Sequence, residues 1–160
     1  MFTIDLPASQ ETPAPEAQIA PHTSTGTARL LVMDDEEALR KVLHDVLTQL
    51  GYEVQTARDG AEAIVLCENA KAAGRSFEAV LLDLTVRDGM GGIEAAEKLK
   101  EWDPSLKLIV SSGYADAPVM SDFRSYGFDD VVRKPWSVAQ LSEVFHRVLA
   151  PTPDRHMQRE

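Results

Sequence analysis

Five short apolar runs recur along this chain, and each is followed by a longer stretch whose apolar residues return every three or four positions. The runs fall at 29–33, 52–56, 79–82, 107–111 and 130–133. Runs this short, bounded by polar residues, suit strands, and the stretches between them carry the period of helices buried along one side. Strands that are apolar almost throughout need cover on both faces, so the alternation predicts an α/β fold with a parallel sheet between two helical layers. Right-handed crossovers leave few ways to wind it. The second run alternates Val54 with Glu53 and Gln55 and so belongs at an edge. That favours the flavodoxin-like, doubly wound order 2-1-3-4-5.

Five helices are expected. The first, over 36–50, would turn Leu39, Val42, Leu43, Val46, Leu47 and Leu50 inward and end at Gly51. Asp59-Gly60 opens the second, which reaches about Ala73, and the third runs over 92–102 with Ile93, Ala96 and Leu99 inward until Asp103-Pro104 stops it. A fourth helical segment is read over 115–126. The fifth, over 137–149, starts with the capping-box spacing of Ser137 and Gln140 and carries Val138, Leu141, Val144, Phe145 and Val148 as its inner stripe.

Outside these elements the composition changes. Residues 8–27 are rich in Pro, Ala, Thr, Ser and Glu and show no apolar period, so 1–27 is read as a disordered linker, 28–150 as the folded domain, and 151–160, which opens Pro151-Thr152-Pro153, as a flexible tail. Sixteen basic against 26 acidic residues give a formal charge of −10, the wrong sign for holding a nucleic-acid backbone directly. No apolar run approaches the ~18–20 residues a membrane span needs, and no secretory signal opens the chain. The lone Cys67, at helical spacing with Ala63, Ile64 and Ala70, reads as a small core residue and leaves no internal disulfide or multi-cysteine metal site. A cytoplasmic location is expected.

Four of the five strands finish in residues that can do chemistry: Asp34-Asp35, Asp83, Ser112 and Lys134. In a sheet of this kind the strand carboxyl ends form one rim, where ligands bind at the switch point between the first and third strands. Three carboxylates gathered there would repel by ~4 kcal/mol per pair at ~4 Å and an effective dielectric of about 20. A divalent cation relieves that repulsion. An all-oxygen set that leaves room for water suits Mg²⁺, with Mn²⁺ able to substitute. Lys134 and Ser112 add a positive charge and a hydroxyl, which a transferring phosphoryl group requires, and Asp83 remains as the nucleophile. Each residue alone also fits a plainer role, as a turn cap or a solvated side chain; their joint occurrence at four strand ends favours a site.

The stretches Leu30-Leu31-Val32-Met33-Asp34-Asp35-Glu36, Leu81-Leu82-Asp83-Leu84-Thr85, Ser111-Ser112-Gly113 and Val132-Arg133-Lys134-Pro135 together resemble the receiver domains of two-component response regulators, over about 28–150. The resemblance implies a phosphorelay role. Asp83 would take a phosphoryl group from the phosphohistidine of a histidine kinase or phosphotransfer domain. Asp35 would be a direct Mg²⁺ ligand, Asp34 would act mainly through metal-bound water, and the Thr85 backbone carbonyl would supply another ligand. Lys134 and Ser112 would contact the phosphoryl group, and the Lys134-Pro135 peptide would be cis. Such a domain catalyses its own phosphorylation and dephosphorylation and then signals or relays onward. Residues 2–8, Phe2-Thr3-Ile4-Asp5-Leu6-Pro7-Ala8, look like the closing strand of a histidine-kinase ATP-binding domain, which suggests the C-terminal receiver of a hybrid sensor kinase. A homodimer is one open arrangement.

Two positions depart from the family pattern. Arg87 stands where many relatives carry proline, which changes the charge of the loop over 87–92. Val131 replaces the aromatic residue expected three positions before the lysine, so the usual aromatic readout coupled to Ser112 is missing; Trp136 and Tyr114 lie near the same face but read as packing residues. Signalling is then expected to use the 87–92 loop and the backbone over 113–126. Two other classes compete. A haloacid-dehalogenase-type phosphatase would need an aspartate where Thr85 stands, and an unphosphorylated pseudo-receiver would have no use for the complete set. The histidines, His22, His44, His146 and His156, are scattered between tails and separate helices and form no rival metal site.

Overall fold

The computed structural model describes residues 28–113 and 118–150. Strand β1 (Arg29–Met33) leads to helix α1 (Glu37–Gln49), β2 (Glu53–Ala57) to α2 (Gly60–Ala72), and β3 (Ala79–Asp83) to α3 (Gly92–Trp102). Then come β4 (Lys107–Ser112), a short α4 (Pro118–Ser121) with a 3₁₀ turn (Phe123–Tyr126), β5 (Asp130–Arg133) and α5 (Val138–Leu149). The five strands form one parallel sheet in the order β2-β1-β3-β4-β5. This is the expected flavodoxin-like winding, with the partly polar β2 at an edge.

Two apolar layers sandwich the sheet. On one face Leu30, Val32, Leu81, Ile109 and Val132 pack under α1 and α5, through Leu43, Leu47, Leu141 and Phe145. On the other, Leu31, Met33, Val80, Leu82, Leu108 and Val110 meet α2 and α3 through Ala63, Cys67, Ala96 and Leu99. Alternate residues of each strand feed opposite layers, which is why the runs had to be apolar throughout. Cys67 is buried as expected, and burial pushes its thiol up to about 12.

The local signals act where the sequence put them. Asp59 caps α2 by accepting the Glu62 N–H, and Ser137 and Gln140 form a reciprocal capping box on α5. Gly51 sits at φ +102°, the left-handed conformation that reverses the chain after α1. Several expectations need correction. β2 covers 53–57 instead of 52–56, because β1 pairs Arg29 with Glu53; Tyr52 instead packs its ring 5.9 Å from Phe145. Val42 and Val138 are 46% and 45% exposed, so both apolar stripes are wider than the faces that α1 and α5 bury. Of the helix expected over 115–126, residues 115–117 lie outside the described residues, and over 118–126 a turn of helix, α4, gives way to the 3₁₀ turn, because Asp122 leaves helical geometry (φ −132°, ψ 50°) and accepts from the Ser125 hydroxyl and N–H. The linker over 1–27, the tail over 151–160, and Tyr114, His22 and His156 lie outside the described residues. Among the described residues no helix is long and apolar enough to cross a membrane.

Candidate functional site

The strand carboxyl ends converge at one rim, beside the switch point between β1 and β3. Asp34 and Asp83 are buried (2% and 6% exposed), Asp35 is half-buried, and each of the three offers a carboxylate oxygen within 4.8 Å of the other two. Lys134, carried on the end of β5, closes the group. Its ammonium donates to Asp34 Oδ2 at 2.8 Å and to Asp83 Oδ1 at 3.1 Å, although it stands 100 positions from Asp34 in sequence.

The surrounding loops orient these side chains. Asp34 Oδ1 accepts the Glu36 N–H at 2.9 Å, and Arg40 at the start of α1 donates to the Asp34 carbonyl at 2.7 Å. Asp35 Oδ2 accepts the Arg87 N–H at 3.1 Å, so the 87–92 loop is tied to the acidic cluster by its backbone. The Lys134-Pro135 peptide is cis, as the resemblance implied, and the Lys134 N–H donates to the Ser112 carbonyl at 2.9 Å. Ser112 ends β4 as a buried residue, Thr85 is exposed just past β3, and Trp136 packs beside the α1/α5 layer. Val131 packs against the opposite layer. Gly92 permits the closest approach: a Cβ there would lie 2.5 Å from the Asp83 carbonyl oxygen, so any larger residue would push α3 off the end of β3.

Electrostatically the cluster is under-neutralised. Burial, then the charge of Asp34, push Asp83 from 3.8 up to about 6 against the opposing pull of Lys134, while Asp35 adds a smaller upward push. Burial works to lower Lys134, but its hydrogen bonds and ion pairs with Asp34 and Asp83 outweigh that and hold it above the ordinary lysine value. One ammonium facing three carboxylates leaves room for more positive charge, and the donors are all hard oxygen. The residues fit a divalent cation. Beside them opens a depression of about 720 Å³ lined by Asp35, Glu36, Arg58, Asp59, Arg87 and Asp88.

This arrangement, a buried carboxylate at the β3 end joined to a lysine across the neighbouring strand within an acidic cluster, accompanies a clear sequence match. Residues 30–146 match the family described as response regulator receiver domain. The chain belongs to the response regulator receiver family. It is 30% identical over 121 residues to chemotaxis protein CheY of Thermotoga maritima, covering 75% of this chain and 96% of that one. It is also 29% identical over 136 residues to sensor protein GacS of Pseudomonas syringae, covering 82% of this chain and only 14% of that much longer protein. Among solved structures, a CheY-like receiver domain protein from Methanospirillum hungatei aligns with a TM-score of 0.68 at 30% identity, over 78% of this chain and 94% of that one.

Receiver domains are phosphoacceptor modules of two-component systems and work with histidine kinases or phosphotransfer proteins. The structure brings together Asp34, Asp35, Asp83 and Lys134 and sets Ser112 and Thr85 at the ends of the adjoining strands. Arg40 and Arg58 were not singled out in the sequence, and Asp59 was read only as the opening of a helix, not as a wall of the depression. A charged residue in the first turn of a helix, or after an edge strand, is too common to signal a site.

Proposed function

We propose that Asp83 is the phosphoacceptor of this receiver and takes its phosphoryl group from a phosphohistidine of a kinase or phosphotransfer domain. The observation that carries this reading is the Lys134 bridge to Asp83 and Asp34 inside the carboxylate cluster. As a bond forms between an Asp83 carboxylate oxygen and phosphorus, the bond from phosphorus to the imidazole nitrogen breaks and the nitrogen keeps the electron pair. Asp83 needs no general base, since it is ionised above about pH 6 and free of a proton to lose. Lys134 faces the charge that gathers on the phosphoryl oxygens, and the Ser112 hydroxyl, at the end of the neighbouring strand, donates to them.

Asp34, Asp35, Asp83 and the Thr85 carbonyl would hold Mg²⁺, or Mn²⁺ in its place. When bound, the cation offsets the carboxylate repulsion and draws charge from the phosphoryl oxygens. Sustained phosphatase turnover is disfavoured, because Thr85 offers no carboxyl group two residues after the nucleophile. A cytoplasmic setting agrees with the single buried thiol. The test is intact-mass analysis after incubation with acetyl phosphate and Mg²⁺. One phosphoryl mass, labile to hydroxylamine and absent with EDTA or in Asp83→Asn, is expected; an adduct that persists in Asp83→Asn would place the acceptor elsewhere.

A further inference from the structure

Among the described residues one buried side-chain polar atom has no hydrogen-bond partner, the hydroxyl of Ser111, on a residue 3% exposed. A buried hydroxyl left without a partner costs free energy, and native proteins keep few of them without a use. Its place in the sheet suggests the use. Ser111 on β4 stands in register with Asp83 on β3 and with Val132 on β5. In-register residues of parallel strands leave the sheet on the same face, and side chains alternate with a period of two. Leu81, Ile109 and Val132 all belong to the layer under α1 and α5. Asp83, Ser111 and Lys134, each two residues beyond one of these, therefore leave on that face. The ion pair from Lys134 on β5 to Asp83 on β3 spans β4, and Ser111 is the β4 residue beneath the span.

We propose that Ser111 is a positioning residue for phosphoryl transfer, whose hydroxyl donates to the Asp83 oxygen that Lys134 gives up when its ammonium turns to the phosphoryl group. This rests on Asp83 being the acceptor. Before transfer, Lys134 holds Asp83 Oδ1. Once phosphorylated, Asp83 carries new anionic oxygens that draw the ammonium, and Oδ1 becomes a buried acceptor in need of a donor. Ser111 has a donor free on the adjacent strand. In the hydrolysis that ends the signal, a water oxygen bonds to phosphorus, the bond from phosphorus to the Asp83 oxygen breaks, and the carboxylate leaves with the electron pair. The released phosphate keeps both protons of the water, as dihydrogen phosphate. A hydroxyl donating to that carboxylate stabilises the departing charge, so Ser111 shortens the life of the phosphorylated state.

The experiment follows decay of the phosphorylated mass of the full chain after acetyl phosphate is removed, in native protein, Ser111→Ala, Ser111→Thr and Ser111→Cys. Mg²⁺ affinity is measured by calorimetry alongside. Ser111→Ala should lengthen the lifetime about three- to ten-fold, the worth of one neutral hydrogen bond. Ser111→Thr should keep the native lifetime, and Ser111→Cys, a weaker donor of similar size, should fall between, which preserves the ranking if threonine does not fit. Mg²⁺ affinity should stay native throughout. A purely structural role would change the urea midpoint of Ser111→Ala and leave its lifetime native, and that result overturns the proposal, as do Ser111→Thr and Ser111→Cys both behaving like Ser111→Ala. Native protein that gains no phosphoryl mass at Asp83 sinks the acceptor assignment itself, an outcome distinct from either.

Discussion

Replacing Asp83 with asparagine should make the metal-free protein more stable at neutral pH. The three carboxylates offer oxygens within 4.8 Å of one another, which at an effective dielectric of about 20 is a repulsion of ~3 kcal/mol per pair. The Lys134 contact with Asp83 at 3.1 Å returns ~5 kcal/mol on the same scale. Two repulsions against one attraction, with burial added, leave ionised Asp83 a net burden, in agreement with its rise from 3.8 to about 6. The folded state thus favours the protonated acid. Its contribution to stability is fully present below the unfolded value near pH 4 and is lost as pH rises through about 6. The shift corresponds to ~3 kcal/mol, which solvent reaching the open side of the rim reduces to about 1–2 kcal/mol. Asp83→Asn removes the ionisation and keeps an acceptor for Lys134. Urea unfolding in EDTA at pH 7.5 should show the variant more stable by about 1–2 kcal/mol, with a Tm higher by about 3–8 °C. The gap should close as pH falls from 6 to 4, and Mg²⁺ should narrow it by stabilising the native site. Equal or lower stability of Asp83→Asn in EDTA at pH 7.5 would refute the electrostatic reasoning.

Other outcomes follow from the same geometry. Asp35→Ala should weaken Mg²⁺ binding by about 10- to 100-fold and Asp34→Ala by clearly less, read by calorimetry, because Asp34 is already engaged by Lys134 and the Glu36 N–H while Asp35, among the described residues, bonds only a loop amide. Gly92→Ala should cost ~2 kcal/mol or more in urea unfolding and slow phosphorylation by acetyl phosphate, since its Cβ would meet the Asp83 carbonyl at 2.5 Å. Ser137→Ala should cost about 1 kcal/mol by loss of the capping box and leave the phosphorylation rate native, which separates helix stability from site chemistry.

Much of this protein is legible along the chain because the physics involved is local. A run as short as Ala79-Val80-Leu81-Leu82, bounded by polar residues, suits a strand covered on both sides, and five short runs alternating with helical stretches favour a parallel sheet. Caps at Asp59 and Ser137 act within four residues, so they fix helix starts without reference to the rest of the fold. The acidic pair at the end of β1 and the aspartate at the end of β3 were readable for the same reason: strand ends are local, and parallel topology sends them to one rim. Contacts between distant elements were not. Periodicity marks an apolar stripe but not how far the neighbouring element reaches, so Val42 and Val138 had to be found exposed in the structure. Asp130 gave no sign of being buried and paired with Arg147 at 2.6 Å across 17 residues, because a charge at a strand start is equally at home in solvent. Only the packed sheet sets Lys134 against Asp34 and Asp83 and leaves Ser111 without a partner beneath that bridge, since a charge pair spanning three strands exists only once their register is fixed.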